Sequence, residues 1–124
     1  MASRKLGFVF TILLTLASFS QAADSSGWKV SLEPAGKIKA NMPADVHVKL
    51  TDAKGKPVAG AEVELVLTMV EMDHGEFKTP AQAAKSGGYN ARPTFFMVGK
   101  WMAEVRAKKG SKSVREKFLF DVKE

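Results

Sequence analysis

Two thioethers and an imidazole fall within the six residues Met69-Val70-Glu71-Met72-Asp73-His74. Thioether sulfur is a soft, uncharged donor, so a methionine-rich set with one histidine favours Cu(I). The same histidine with the two carboxylates would suit a harder divalent ion. Methionine binds without losing a proton, which keeps it competent in acidic or oxidising surroundings where thiols are consumed. The chain has no cysteine, which removes disulfides, thiolate metal sites, iron–sulfur clusters and cysteine nucleophiles together. Any metal chemistry must use methionine, histidine or carboxylate.

Each donor has a packing role to set against a binding one. Met69 continues the inward phase of Val63, Leu65 and Leu67, which suits a core side chain, although its place at the end of the run leaves it available as a ligand. Met72 is in the opposite phase among charged residues, where packing alone accounts for it poorly. His74 is followed by Gly75 in a loop, and loops on a rigid scaffold commonly carry function. Met97 and Met102 flank Gly99, and either reaches the cluster if that turn lies at the same end of the fold. The candidate metal ligands are Met69, Met72 and His74 with either Met97 or Met102, a set whose sulfur favours copper as Cu(I). His47, on the outward face of a strand, and Met42, in a connector, are less suited.

Most enzyme chemistry fails on inventory. His47 and His74 are the only histidines, and no Gly-x-Ser-x-Gly context offers either of them a nucleophilic serine. A phosphate-cradling glycine loop, a dinucleotide fingerprint and a His-Glu-x-x-His segment are all missing from the sequence. Glu71, Asp73 and Glu76 cluster without further catalytic neighbours and read as a solvated loop. The expectation is a binding protein, not an enzyme.

The elements that must position the candidate ligands read as strands of period two. Trp28, Val30 and Leu32 alternate with polar residues, and Pro34 ends the run. Val46, Val48 and Leu50 form a second strand, closed by a turn at residues 52–57, and a third runs from Ala61 to Val70 with Val66 on its outer face. Residues 71–88 lose the alternation and are expected to form a long loop with a helical turn at 81–85. Tyr89 to Phe95 alternates again, with Pro93 marking an edge or bulge. Gly99-Lys100 breaks the run before a strand at 101–108, and a last strand spans 114–122. About seven short strands and no amphipathic helix indicate an all-β, antiparallel immunoglobulin-like β-sandwich, with a small closed barrel as its competitor.

At 124 residues, 45% hydrophobic and 26% charged, the chain fits one domain. Arg4 and Lys5, the apolar run from Leu6 to Phe19, and Ser20-Gln21-Ala22 form the three regions of a secretory signal peptide. Cleavage is expected after Ala22, leaving a domain at 23–124 that is exported to the periplasm and has no stable membrane insertion. The alternative, a retained membrane anchor, is disfavoured by the shortness of the run and the polar residues that follow it. Removing residues 1–22 takes two of 19 basic residues and none of 13 acidic ones, lowering the formal charge from +6 to +4. Much of that charge comes late, at Arg106, Lys108, Lys109, Lys112, Arg115 and Lys117. Export and the lack of an aromatic stacking platform argue against nucleic acid as the partner.

A family resemblance rests on four pieces in order: the turn from Asp52-Ala53-Lys54-Gly55-Lys56-Pro57-Val58 to Ala61 and Val63, then Met69-x-x-Met72, then Gly88-Tyr89-x-Ala91, then Phe96-Met97-x-Gly99-x-Trp101. Together they resemble the YtkA-like/FixH family of exported bacterial domains over about residues 28–122. The first piece is generic to immunoglobulin-like modules, and the methionine pair with the later motifs is more specific. The resemblance implies an immunoglobulin-like sandwich and, for relatives, periplasmic or cell-surface settings linked to copper handling or to assembly of copper-containing respiratory oxidases. It implies no catalysis. Met69, Met72 and Met97 match the family's methionines, and His74 occupies a segment where relatives often add Met or His. FixH proper keeps its membrane anchor, whereas cleavage is expected here.

Two functions follow as expectations. One is a small periplasmic copper-binding protein that exchanges Cu(I) with a copper exporter or an oxidase-assembly protein. The other is a metal-free interaction module whose basic C-terminal hairpin or exposed sheet edge docks an acidic protein partner.

Overall fold

Alternating apolar and polar side chains let a strand bury one face and wet the other, and most strands of this chain use that solution. The computed structural model describes residues 27–124. Its strands are β1 (Lys29–Pro34), β2 (Val46–Thr51), β3 (Glu62–Met69), β4 (Phe77–Ala83), β5 (Tyr89–Ala91), β6 (Gly99–Lys109) and β7 (Lys112–Val122). All strand pairs are antiparallel and join one sheet in the order β1-β2-β5-β4-β3-β6-β7. The fold is all-β and sandwich-like, as the alternation predicts. The expected signal peptide at residues 1–22 and its cleavage after Ala22 lie outside the described residues.

Strand β4 joins the two halves of the sheet. Its first part pairs with β3, from Leu67↔Phe77 to Val63↔Ala81, and its end passes to β5 through Gln82↔Asn90 and Ala83↔Tyr89. The sheet thereby folds over a single apolar cluster that draws on both halves: Trp28, Val48 and Leu50 on one side, Leu65, Trp101 and Val105 on the other. Burying each large side chain contributes roughly 1.5–3 kcal/mol. Beyond the last strand, Lys39 bridges Lys123 in parallel, so the sheet comes close to closing as a barrel. That bridge also covers part of an edge that would otherwise be open to pairing with another chain.

Four local expectations are corrected. Residues 77–83 form a strand, not a loop, and no helical turn occupies 81–85. The inward side chains there, Thr79 and Ala81, are too small and polar to announce a period. Pro80 stands where β4 leaves one neighbour for the next, so its missing amide is tolerated. The strand expected to run to Phe95 stops at Ala91, after which Phe95 enters the core from an irregular segment. The break expected at Gly99-Lys100 is instead the start of β6. Val66, on the face opposite Leu65 and Leu67, is buried as well, at 3% exposed. Its register sets it between Lys78 and Glu104, beside a network in which the Arg106 guanidinium donates to Glu104 at 2.7 Å and approaches Glu64 at 4.0 Å.

Antiparallel order sorts the connections between two ends. One end carries residues 35–45, 70–76 and 92–98; the other carries 52–61, 84–88 and the 110–111 hairpin. At the second end the Tyr89 hydroxyl donates to the Val58 carbonyl at 2.7 Å and accepts from the Ala61 amide at 3.0 Å. The Lys109 ammonium donates to the Ala59 carbonyl at 2.6 Å.

Candidate functional site

The first end holds the candidate ligands. Met69 closes β3 directly opposite Trp101 of β6, and the next amide, Val70, donates to the Lys100 carbonyl at 3.0 Å. The Trp101 indole N–H donates to the Met97 carbonyl at 2.9 Å, which ties the segment before β6 to the strand itself. Gly99 lies between them with φ 142°, a backbone region L side chains rarely adopt. A Cβ at Gly99 would stand 3.1 Å from the Met69 methyl, so Met69 packs onto the bare backbone of the turn that follows Met97. The condition set by the sequence is met: the Gly99 turn sits at the same end as the Met69–His74 loop.

His74 joins this group through an aromatic ring. Its imidazole meets Phe96 edge-on at 5.6 Å, and Phe96 in turn packs edge-on against Trp101 at 5.1 Å and Phe77 at 4.9 Å. The loop that presents His74 is shaped locally. Asp73 accepts a hydrogen bond from the Gly75 amide at 3.0 Å, and Gly75 takes φ 85°, which together turn the chain tightly around the histidine.

The four predicted ligands differ in access. Met69 is 8% exposed and belongs to the core cluster. Met97 is half-buried, His74 is exposed, and Met72 is 49% exposed on the loop between Met69 and His74. Met69, Met97 and His74 are linked through Gly99, Trp101 and Phe96; Met72 stands outside that packed group. Met102 falls on the outer face of β6, opposite Thr68 and Leu119. His47 lies on the outer face of β2, where its Nδ1 is 2.7 Å from the Asn90 side-chain oxygen.

Sequence reasoning passed over the aromatic wall of Phe77 and Phe96. The signal was present in Phe95-Phe96-Met97, where two adjacent aromatics cannot both face the core of a strand. It also passed lightly over Met42, which is 55% exposed. The Asn41 amide donates to the Phe95 carbonyl at 2.7 Å, bringing Met42 to the same end.

The donor set is soft: thioethers at graded depth and one accessible imidazole, beside an aromatic cluster that limits water. Among the described residues no three His, Asp or Glu side chains gather as a site for a harder ion. Glu71, Asp73 and Glu76 nevertheless give the loop a negative potential that favours any cation.

No curated protein matches the chain in sequence. A model of the YtkA-like family matches residues 22–106, which takes in the candidate loop, the aromatic wall and every strand through most of β6. The chain belongs to the YtkA-like family.

Proposed function

We propose that this is an exported copper-binding protein that holds Cu(I) through Met72 and His74 on the loop and through one or both of Met69 and Met97 behind them. The observation that carries the reading is that Met69, the Met97 backbone and the His74 ring pack around Gly99, Trp101 and Phe96 at one end of the fold, although they come from segments separated in sequence. Neutral sulfur and imidazole donors match a soft monovalent ion. The ion is cargo: exposed Met72 and His74 are positioned to capture and release it, while the more buried sulfurs complete its coordination. Such graded access suits transfer to a copper exporter or an oxidase-assembly protein across the periplasm, and it calls for no catalytic step.

The test is a competition titration of the chain beginning at Ala23 against a chromophoric Cu(I) chelator, under anaerobic reducing conditions. One tight equivalent is expected, and the Met72→Ala/His74→Ala double variant should lose it while keeping its fold, since both side chains are exposed. Unchanged affinity in the double variant refutes this site. Failure of the unsubstituted chain to compete refutes copper binding and leaves the metal-free interaction module.

A further inference from the structure

The end of the fold opposite the candidate metal loop is lined with lysine. Lys54 lies in the turn after β2, Lys85 in the turn after β4, and Lys108, Lys109 and Lys112 around the β6–β7 hairpin; all are exposed. Opposing them in these connections are Asp52, whose carboxylate accepts the Lys54 and Lys56 backbone amides at 2.8 and 3.0 Å, and Glu62, which reaches Lys108 only at 4.0 Å. Among the described residues, Lys54, Lys85 and Lys112 have no carboxylate within ion-pairing distance.

These lysines come from three connections that the topology brings together, as the Tyr89 and Lys109 bonds to residues 58–61 show. Glu71 and Asp73 stand in the connection at the other end, and Glu76, closer in, acts on Arg106 of β6. The eleven residues of β6 extend about 35 Å, several times the roughly 8 Å screening length of physiological salt. Glu71 and Asp73 are therefore screened from the lysine end.

The described chain also begins at this end. Gly27 is placed beside Ala53 of the 52–57 turn, since a Cβ on Gly27 would lie 3.9 Å from that of Ala53. A broad array of exposed ammonium groups on separate turns matches a planar field of lipid phosphates.

We propose that the lysine end is a surface that seats on anionic phospholipid headgroups, which leaves residues 70–76 and their ligands facing away from the bilayer. The seating does not depend on bound metal.

The test uses the chain from Ala23, which contains every described strand and the whole apolar cluster and lacks the apolar run. Co-sedimentation at low ionic strength is expected with vesicles of phosphatidylglycerol and phosphatidylcholine, and not with phosphatidylcholine alone. Raising salt to about 0.5 M should release it. Replacing one lysine on each connection, in Lys54→Gln/Lys85→Gln/Lys112→Gln, should weaken partitioning by about tenfold or more. A control that removes the same charge from the opposite half of the molecule, Lys37→Gln/Lys39→Gln/Lys100→Gln, should stay within about twofold of the parent. Binding that is absent, indifferent to lipid charge, or weakened equally by both triple variants overturns the proposal. Binding to soluble polyglutamate without binding to vesicles overturns it in favour of an acidic protein.

Discussion

Tyr89→Phe removes one oxygen and leaves the ring, so it isolates what that hydroxyl contributes. Tyr89 is 3% exposed at the start of β5. Its hydroxyl donates to Val58 and accepts from Ala61, clamping a connection 28 to 31 residues away in sequence onto the end of the sheet. Each bond is worth about 0.5–1.5 kcal/mol net, and a carbonyl or amide left unpaired costs about 1–3 kcal/mol where water cannot replace the lost partner. Both bonds are only part-buried, so water recovers some of that cost, and a loss of about 2 kcal/mol is expected. For a domain near 100 residues this is a fall in Tm of about 10 °C. Urea and thermal unfolding followed by the fluorescence of the buried Trp28 and Trp101 measure it, with the urea m-value unchanged if the native fold persists. A loss below about 0.5 kcal/mol would mean that the turn is held by its own bonds and that the Tyr89 clamp contributes little.

Three further substitutions probe the backbone and the charges of the same end. Gly87→Ala meets nothing within 4 Å and suffers only from φ 99°, whereas Gly88→Ala, at φ 72°, places its Cβ 2.7 Å from the Val48 carbonyl oxygen and 2.6 Å from His47 Nε2. Denaturant melts should show a cost of about 1 kcal/mol for the first and at least about 2 kcal/mol more for the second; equal costs would mean that β2 yields freely. The Asp52 carboxyl is held below its ordinary pKa first by the Lys56 amide, against an opposing effect of burial and with help from the Lys54 amide. A lowered folded pKa contributes stability that is present above the unfolded value of 3.8 and lost as pH falls through the folded one. Asp52→Asn keeps an oxygen for both amides but cannot titrate, so its melts should show a flatter acid limb than the parent, and parallel limbs would exclude a linkage at Asp52.

Strand identity was largely legible because alternation is a local property: each residue reports its face through its own polarity. It failed where tertiary contacts outweighed local pattern. Phe77–Ala83 pairs as a strand because β3 and β5 offer partners on either side of its crossing, which no feature of Thr79-Pro80-Ala81 announces. Val66 lies on the face away from the central cluster and is covered by the long side chains that flank it. Phe95 is fully buried without belonging to a strand.

The candidate site divides along the same line. The absence of cysteine and the spacing of Met69, Met72 and His74 are matters of sequence alone, and they confine any metal chemistry to thioether, imidazole and carboxylate before the chain is folded. Whether the turn at Gly99 lies at the same end as that loop was open, because a side-chain period says which face a residue takes and nothing about which strand ends share a pole. Antiparallel pairing decides it. It brings Gly99 and Trp101 beside Met69, sets Phe96 against His74, and gathers lysines from three distant turns at the far end, because the hydrogen bonds of the sheet place those segments side by side.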